Sequence, residues 1–323
     1  MQRRNLAILA VVAVAALAAA YWARTRRGAD ERRVIAVVPK GTTHEFWRTV
    51  HAGAEKAAHD LGVQIVWKGP ARESDHAGQI AIVEDMIGRH VDAIVLAPTH
   101  AEALVPVIRR AKRAGIPVVL FDSGAHTDDV VSFVATDNAL GGVVAARELG
   151  RLVGGRGPVA MVKTQPGGAS TEDRERGFRE TIEKEFPDVH LVAEQYGMSL
   201  RERSLAVATD ILTAHPDVVG FFGSNESSAH GVMLAVKNRG LAGRVKVVGF
   251  DSSEDQVRAL EQGLVHALVV QNPFRMGLEG VTTAVHALDG RPTERRIDTG
   301  VTLVTRENLR TPEVQRLIHP LGP

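Results

Sequence analysis

The chain has 323 residues, 44% hydrophobic and 24% charged, with 39 Lys and Arg against 38 Asp and Glu for a net charge of +1. That length suits two cores of roughly 130 residues each, and the even charge balance gives no footing for nucleic acid or a strongly acidic partner. Cysteine is absent, which excludes disulfides, cysteine-ligated metals, thiol catalysis and a cysteine-borne lipid anchor.

In chain order, the first signal is at the N-terminus. Arg3 and Arg4 precede an uncharged apolar run from Leu6 to Ala20, and Tyr21, Trp22, Arg24, Arg26 and Arg27 follow it. A basic start, an apolar stretch and the small residues Ala18 to Ala20 describe a secretory signal. Interfacial aromatics followed by arginines describe an uncleaved anchor. Both readings stay open for residues 1–32. Either places the remainder in the periplasm or another extracytoplasmic space, and the second attaches it to the membrane through residues 6–22.

From Val34 onward, short Val- and Ile-rich runs alternate with amphipathic segments. The runs are Val34–Val38, Val63–Trp67, Val91–Ala97, Ile116–Phe121, Pro158–Val162, Val189–Ala193, Val218–Phe222, Val245–Phe250 and Val265–Val270. Continuous apolar runs predict parallel strands buried on both faces. Trp47, Val50, Ala54, Ala57 and Leu61 fall at helical spacing, as do Leu104, Val107, Ile108 and Ala111. The class is therefore α/β, doubly wound.

A weak internal repeat divides the chain. Val91 to Pro98 leads through a helix to Ala114–Asp122, and Pro216 to Asn225 leads through a helix to Gly243–Asp251. Each copy ends a strand on Phe-Asp, and the carboxyl ends of strands in open α/β sheets line the ligand crevice. Two such units facing each other make a cleft with one aspartate on each wall.

Motifs for chemistry are missing. There is no Gly-Lys-Ser/Thr phosphate loop and no Gly-x-Ser-x-Gly elbow. His44-Glu45 opens a zinc-protease motif whose second histidine is replaced by Arg48. Gly155-Arg-Gly-Pro precedes a strand instead of following one, which suits a turn better than a nucleotide. An enzyme, a metal site and a cofactor are not expected.

Ser132–Gly142, Arg174–Phe178, Thr213–Asp217 and Val248–Asp251 together resemble the ribose-binding, type I family of periplasmic sugar-binding proteins, and the resemblance runs from Val34 to about Val304. It implies two doubly wound parallel-sheet lobes joined by a three-segment hinge. The N-terminal lobe would comprise 33–136 with 272–298, and the C-terminal lobe 137–271 with 299–323. An export segment stands where the related sugar-responsive repressors carry a DNA-binding headpiece.

By the same resemblance the ligand residues are His44, Phe46, Trp47, Asp122, Ser123, Arg174, Asn225, Asp251 and Gln271. Rings at 46 and 47 would pack on the apolar face of a sugar, and the carboxylates, amides and guanidinium would pair with its hydroxyls. His44 would offer one ring nitrogen. Ser123 stands where the family has an arginine, and an aromatic of the second lobe is replaced near Met198–Ser199, which argues against ribose itself. The implied function is capture of a sugar or polyol by a monomer and delivery to an ABC-type permease. The alternative is docking on a chemoreceptor or sensor kinase.

Overall fold

The computed structural model describes residues 32–320 and 322. The signal or anchor expected at the N-terminus lies outside the described residues. Among the described residues no helix is long and apolar enough to cross a membrane.

The first half of the chain runs β1 (Val34–Val38), α1 (Glu45–Leu61), β2 (Gln64–Trp67), α2 (His76–Gly88), β3 (Ala93–Leu96), α3 (Val105–Arg113), β4 (Val118–Phe121) and β5 (Ser132–Ala135). It continues as α4 (Asn138–Leu152), β6 (Arg156–Lys163), α5 (Ala169–Glu185), β7 (Asp188–Tyr196), α6 (Arg201–Ala214), β8 (Gly220–Gly223) and α7 (Glu226–Asn238). Then come β9 (Lys246–Phe250), α8 (Glu254–Glu261), β10 (Ala267–Gln271), α9 (Pro273–Leu288), β11 (Arg296–Asp298), β12 (Val301–Val304) and α10 (Pro312–Ile318).

Two six-stranded sheets result, ordered β11-β5-β4-β3-β1-β2 and β12-β10-β9-β8-β6-β7. The first is parallel throughout, while β12 closes the second in an antiparallel sense. The parallel expectation is thus corrected at that one edge. A short return after β11 through Gly300, with a φ of 82°, reverses the chain there. Each sheet carries helices on both faces, so β1, β3 and β4 are apolar on both sides and every residue of β3 is buried.

The chain passes from the first sheet to the second after Ala135, returns after Gln271, and crosses again between Asp298 and Val301. Hydrogen bonds knit these crossings: Thr136 Oγ1 donates to the Gly300 carbonyl at 3.1 Å, and the Asp137 amide donates to Asp298 Oδ1 at 3.3 Å.

Helix pairs are clamped through glycine. A Cβ on Gly277 of α9 would stand 1.9 Å from the Val50 carbonyl of α1, and one on Gly142 of α4 would stand 2.0 Å from the Arg174 carbonyl of α5. Only glycine permits those approaches. The second fixes the axial position of Arg174. Beyond β12, Leu309 and Val314 bury themselves in the core of the second sheet, so the tail covers that unit.

Candidate functional site

Carboxyl ends of both sheets converge on one narrow cavity. The first sheet contributes Lys40, His44, Phe46, Trp47, Glu73 and Asp122, and the second contributes Ser170, Thr171, Arg174, Asn225, Glu226, Asp251 and Gln271. Of the nine residues expected from sequence, eight line it. Ser123 does not: it is fully buried, and its Oγ accepts the Ser170 amide at 3.2 Å. A serine is too short to reach past Asp122, so its hydroxyl serves the contact between the two units.

Asp122 and Asp251 stand directly after β4 and β9 and are 4% and 7% exposed. Lys40 Nζ lies 2.8 Å from Asp122 Oδ2 and donates to Ser170 Oγ at 2.9 Å, so one lysine spans the cleft. Asp251 accepts from Gln271 Nε2 at 2.7 Å and from the Glu226 amide, the first of α7, at 3.1 Å. Burial pushes the Asp251 carboxyl up to about 6, against the pull of the Arg174 charge and the Gln271 bond. Gln271 Oε1 is a buried acceptor without a protein partner. Such an atom on a cavity wall calls for a donor from a guest or solvent.

Arg174 is buried. Nε and Nη2 donate to Asn138 Oδ1 at 3.2 and 2.7 Å, Nη1 donates to the Ser224 carbonyl, and the guanidinium lies 3.3 Å from the centre of the Phe250 ring. This fixes its direction before any ligand arrives. Asn225 caps α7, with Oδ1 accepting from the Ser228 amide at 2.9 Å and from Ser227 Oγ at 3.1 Å. Its acceptor is therefore occupied, which leaves the amide nitrogen as the donor for a guest.

Phe46 and Trp47 meet edge to face at 4.9 Å between centroids, and both also belong to the core of the first sheet. Trp47 Nε1 donates to Glu73 Oε1 at 2.8 Å. His44 corrects the expectation of a free ring nitrogen. Nδ1 is 3.3 Å from Glu73 Oε1, and Nε2 is 3.2 Å from the Ser199 carbonyl across the cleft. Burial alone would lower its pKa, but the bond and charge of Glu73 outweigh that and raise it to about 9. The imidazolium's two protons thus both go to protein oxygens. No aromatic ring comes from Met198–Ser199; Met198 is among the most exposed large apolar residues and Ser199 is buried.

Lys40, Glu73, Ser170, Thr171 and Glu226 were not expected. Lys40 had a readable signal, because it follows a strand's carboxyl end as Asp122 does. Counting Arg201, which pairs with Glu226 at 2.6 Å, the site holds four cations and four anions. That balance, with rings on one side and fixed donors and acceptors on the other, fits a small neutral polyhydroxylated molecule. A larger hollow of about 580 Å³ between α9 and α10 is open to solvent and gathers no such set of opposed charges.

Residues 35–292 match the periplasmic binding protein domain family. The chain belongs to the periplasmic binding protein family, and it is of the ribose-binding type. The ribose import binding protein of Salmonella typhimurium is 30% identical over 290 residues, covering 90% of this chain and 96% of that one. A carbohydrate transporter solute-binding protein from Agrobacterium radiobacter, solved with D-arabinose, superimposes with a TM-score of 0.87 at 37% identity, covering 90% of this chain and all of that one. An ABC transporter solute-binding protein from Agrobacterium vitis, solved with D-fucose, gives 0.86 at 37% identity over 88% of this chain and 99% of its own. The two sheets of this periplasmic binding protein are accordingly its two α/β units of the type I fold.

Proposed function

We propose that this periplasmic binding protein captures one neutral monosaccharide or polyol between its two units, acting as lobes, and presents it to an ABC-type permease. The observation that carries this reading is the cavity where Asp122 and Asp251 face each other from different sheets, flanked by Arg174 and the Phe46–Trp47 pair. A ribose import binding protein and relatives solved with D-arabinose and D-fucose support the same class of cargo.

The lobes are residues 33–136 with 272–298 and residues 137–271 with 299–323, hinged at the three crossings. Ligand-binding residues are Phe46, Trp47, Asp122, Arg174, Asn225, Asp251 and Gln271, joined by Lys40. A sugar that bridges the two aspartates binds the closed arrangement better than the open one, and only that difference in affinity can drive closure. The protein performs binding and no chemistry. Relatives named for import and for solute binding favour delivery to a permease over a sensory role.

A thermal-shift panel of neutral pentoses, hexoses and polyols tests the reading. A ligand at about 100 times its Kd adds about 2.7 kcal/mol of stability. A selective rise with one of them supports the proposal. Silence with all of them, and a response to amino acids instead, contradicts it.

A further inference from the structure

Among the described residues that line the cavity, none comes from Ser132–Gly142, although that stretch carries part of the family resemblance. One of its side chains nevertheless reaches a cavity residue. Asn138, the first residue of α4, is buried and faces Arg174. The helix end does not need it, because Asp137 is the cap and its Oδ1 accepts the Leu140 amide at 3.0 Å.

Both ends of the Asn138 amide are engaged. Oδ1 accepts Arg174 Nε and Nη2, and Nδ2 donates to the Thr136 carbonyl at 3.2 Å. The two ends agree on one orientation: a turned amide would set its NH2 against the guanidinium and its oxygen against a carbonyl. Thr136 stands at the first crossing between the units, and its carbonyl also accepts Arg296 Nη2 of β11 at 2.9 Å. The direction of the amide is therefore fixed at the crossing and passed on to the guanidinium.

Arg174 depends on that support. Its three side-chain bonds all go to neutral oxygens, two of them to Asn138 and one to the Ser224 carbonyl. A guanidinium has five donors, so two are left for a guest in the cavity. The frame around the pair is rigid. A Cβ on Gly142 would stand 2.0 Å from the Arg174 carbonyl, and one on Gly177 would stand 2.4 Å from the Ala139 carbonyl, so α4 and α5 are locked together by a glycine on each. Asn138 lies one turn before Gly142 on the same face of α4.

We propose that Asn138 is a positioning residue for Arg174: it aims the guanidinium into the cavity from the first crossing, and sugar affinity depends on it although it does not line the cavity. The proposal rests on the sugar-binding reading above.

The full-length protein, carrying isotopically labelled arginine, is unfolded and refolded to remove any co-purified sugar, and its arginine side-chain N–H signals are recorded by NMR. The Arg174 guanidinium lies 3.3 Å from the centre of the Phe250 ring, so its Nε–H signal is displaced by the ring and protected from exchange. Arg174→Lys identifies that signal by removing it. In Asn138→Ala the signal should lose its displacement and exchange with water at least about tenfold faster, as expected for a lost bond to a charged group. Asn138→Asp, which keeps the acceptor, should retain the signal. Asn138→Ser, a good residue at a helix start but too short to reach the guanidinium, should behave as the alanine variant does, and it replaces that variant should the alanine fail to fold.

A side chain that only secured the start of α4 would lower the melting temperature on removal and leave the Arg174 signal in place. That result, in a variant that circular dichroism shows to be folded, overturns the proposal. With D-arabinose as the probe, Asn138→Ala should bind at least about tenfold more weakly than the parent, and equal affinities overturn the proposal as well. A parent that does not bind D-arabinose counts against that choice of sugar alone, and the sugar-free spectra still decide the role of Asn138.

Discussion

Asp122 and Asp251 occupy the same place in the two sheets. Each follows the last phenylalanine of its strand, each donates its amide at 2.9 Å to the neighbouring strand, to Val134 and Val269, and each has positive φ, 57° and 67°. Aspartate tolerates this region better than most residues, yet glycine fits it without cost. Retaining a carboxylate at both positions points to its chemistry, because the backbone alone would favour glycine. The positive φ turns the chain sharply off the strand end, which places each carboxylate on the cavity wall.

That geometry separates stability from binding. Asp251→Gly should be more stable than Asp251→Ala by about 1 kcal/mol, since only the alanine must hold a Cβ in left-handed backbone. Both should lose sugar binding equally. Urea denaturation measures the first difference and titration the second.

The Lys40–Asp122 pair is expected to behave as a buried ion pair. Lys40→Met leaves Asp122 buried without its cation and should cost about 3 kcal/mol. Adding Asp122→Asn should restore much of that loss, and binding should stay absent in the double variant. The double-mutant cycle, read by urea denaturation, checks the coupling.

Acid should act on stability and affinity in opposite senses through Asp251. Its carboxyl is raised from 3.8 to about 6, so ionised Asp251 burdens the free protein, and that burden is relieved as pH falls from above 6 toward 4. A sugar that needs the carboxylate binds less well over the same range, about tenfold at pH 5 if only the ionised form binds. The groups facing Asp251 are Arg174, Gln271, Glu226 and Asp122. Calorimetric affinities and sugar-free melting temperatures between pH 5 and 7.5 test both signs.

Gly142→Ala tests how the fold places Arg174. The added methyl meets the Arg174 carbonyl and should force α4 and α5 apart, at about 1–3 kcal/mol. Affinity should fall as well, because the guanidinium moves with its helix. Gly240→Ala, with open space at its Cβ but a φ of 66°, should cost stability alone.

Much of this was legible in the sequence because it rests on local signals. Val- and Ile-rich runs marked the buried parallel strands, and the Phe-Asp strand endings marked two walls of the site. β5, β11 and β12 were missed because they are only three or four residues long, too short to stand out as apolar runs. Glu73 and Glu226 were missed for another reason. A buried charge is tolerable only beside its partners, and theirs lie far along the chain: Ser199 is 126 residues from Glu73, and Phe46 is 180 from Glu226. His44 was given a sugar contact because a single ring nitrogen needs only a hydroxyl; Glu73 takes Nδ1 and the Ser199 carbonyl takes Nε2.

The most direct test of the central claim is isothermal titration of the refolded, sugar-free protein with neutral monosaccharides, D-arabinose and D-fucose first, alongside Asp251→Ala. The account predicts one-to-one binding of at least one such sugar and its loss in the folded variant. Binding of none of them, or binding that Asp251→Ala leaves unchanged, would contradict it.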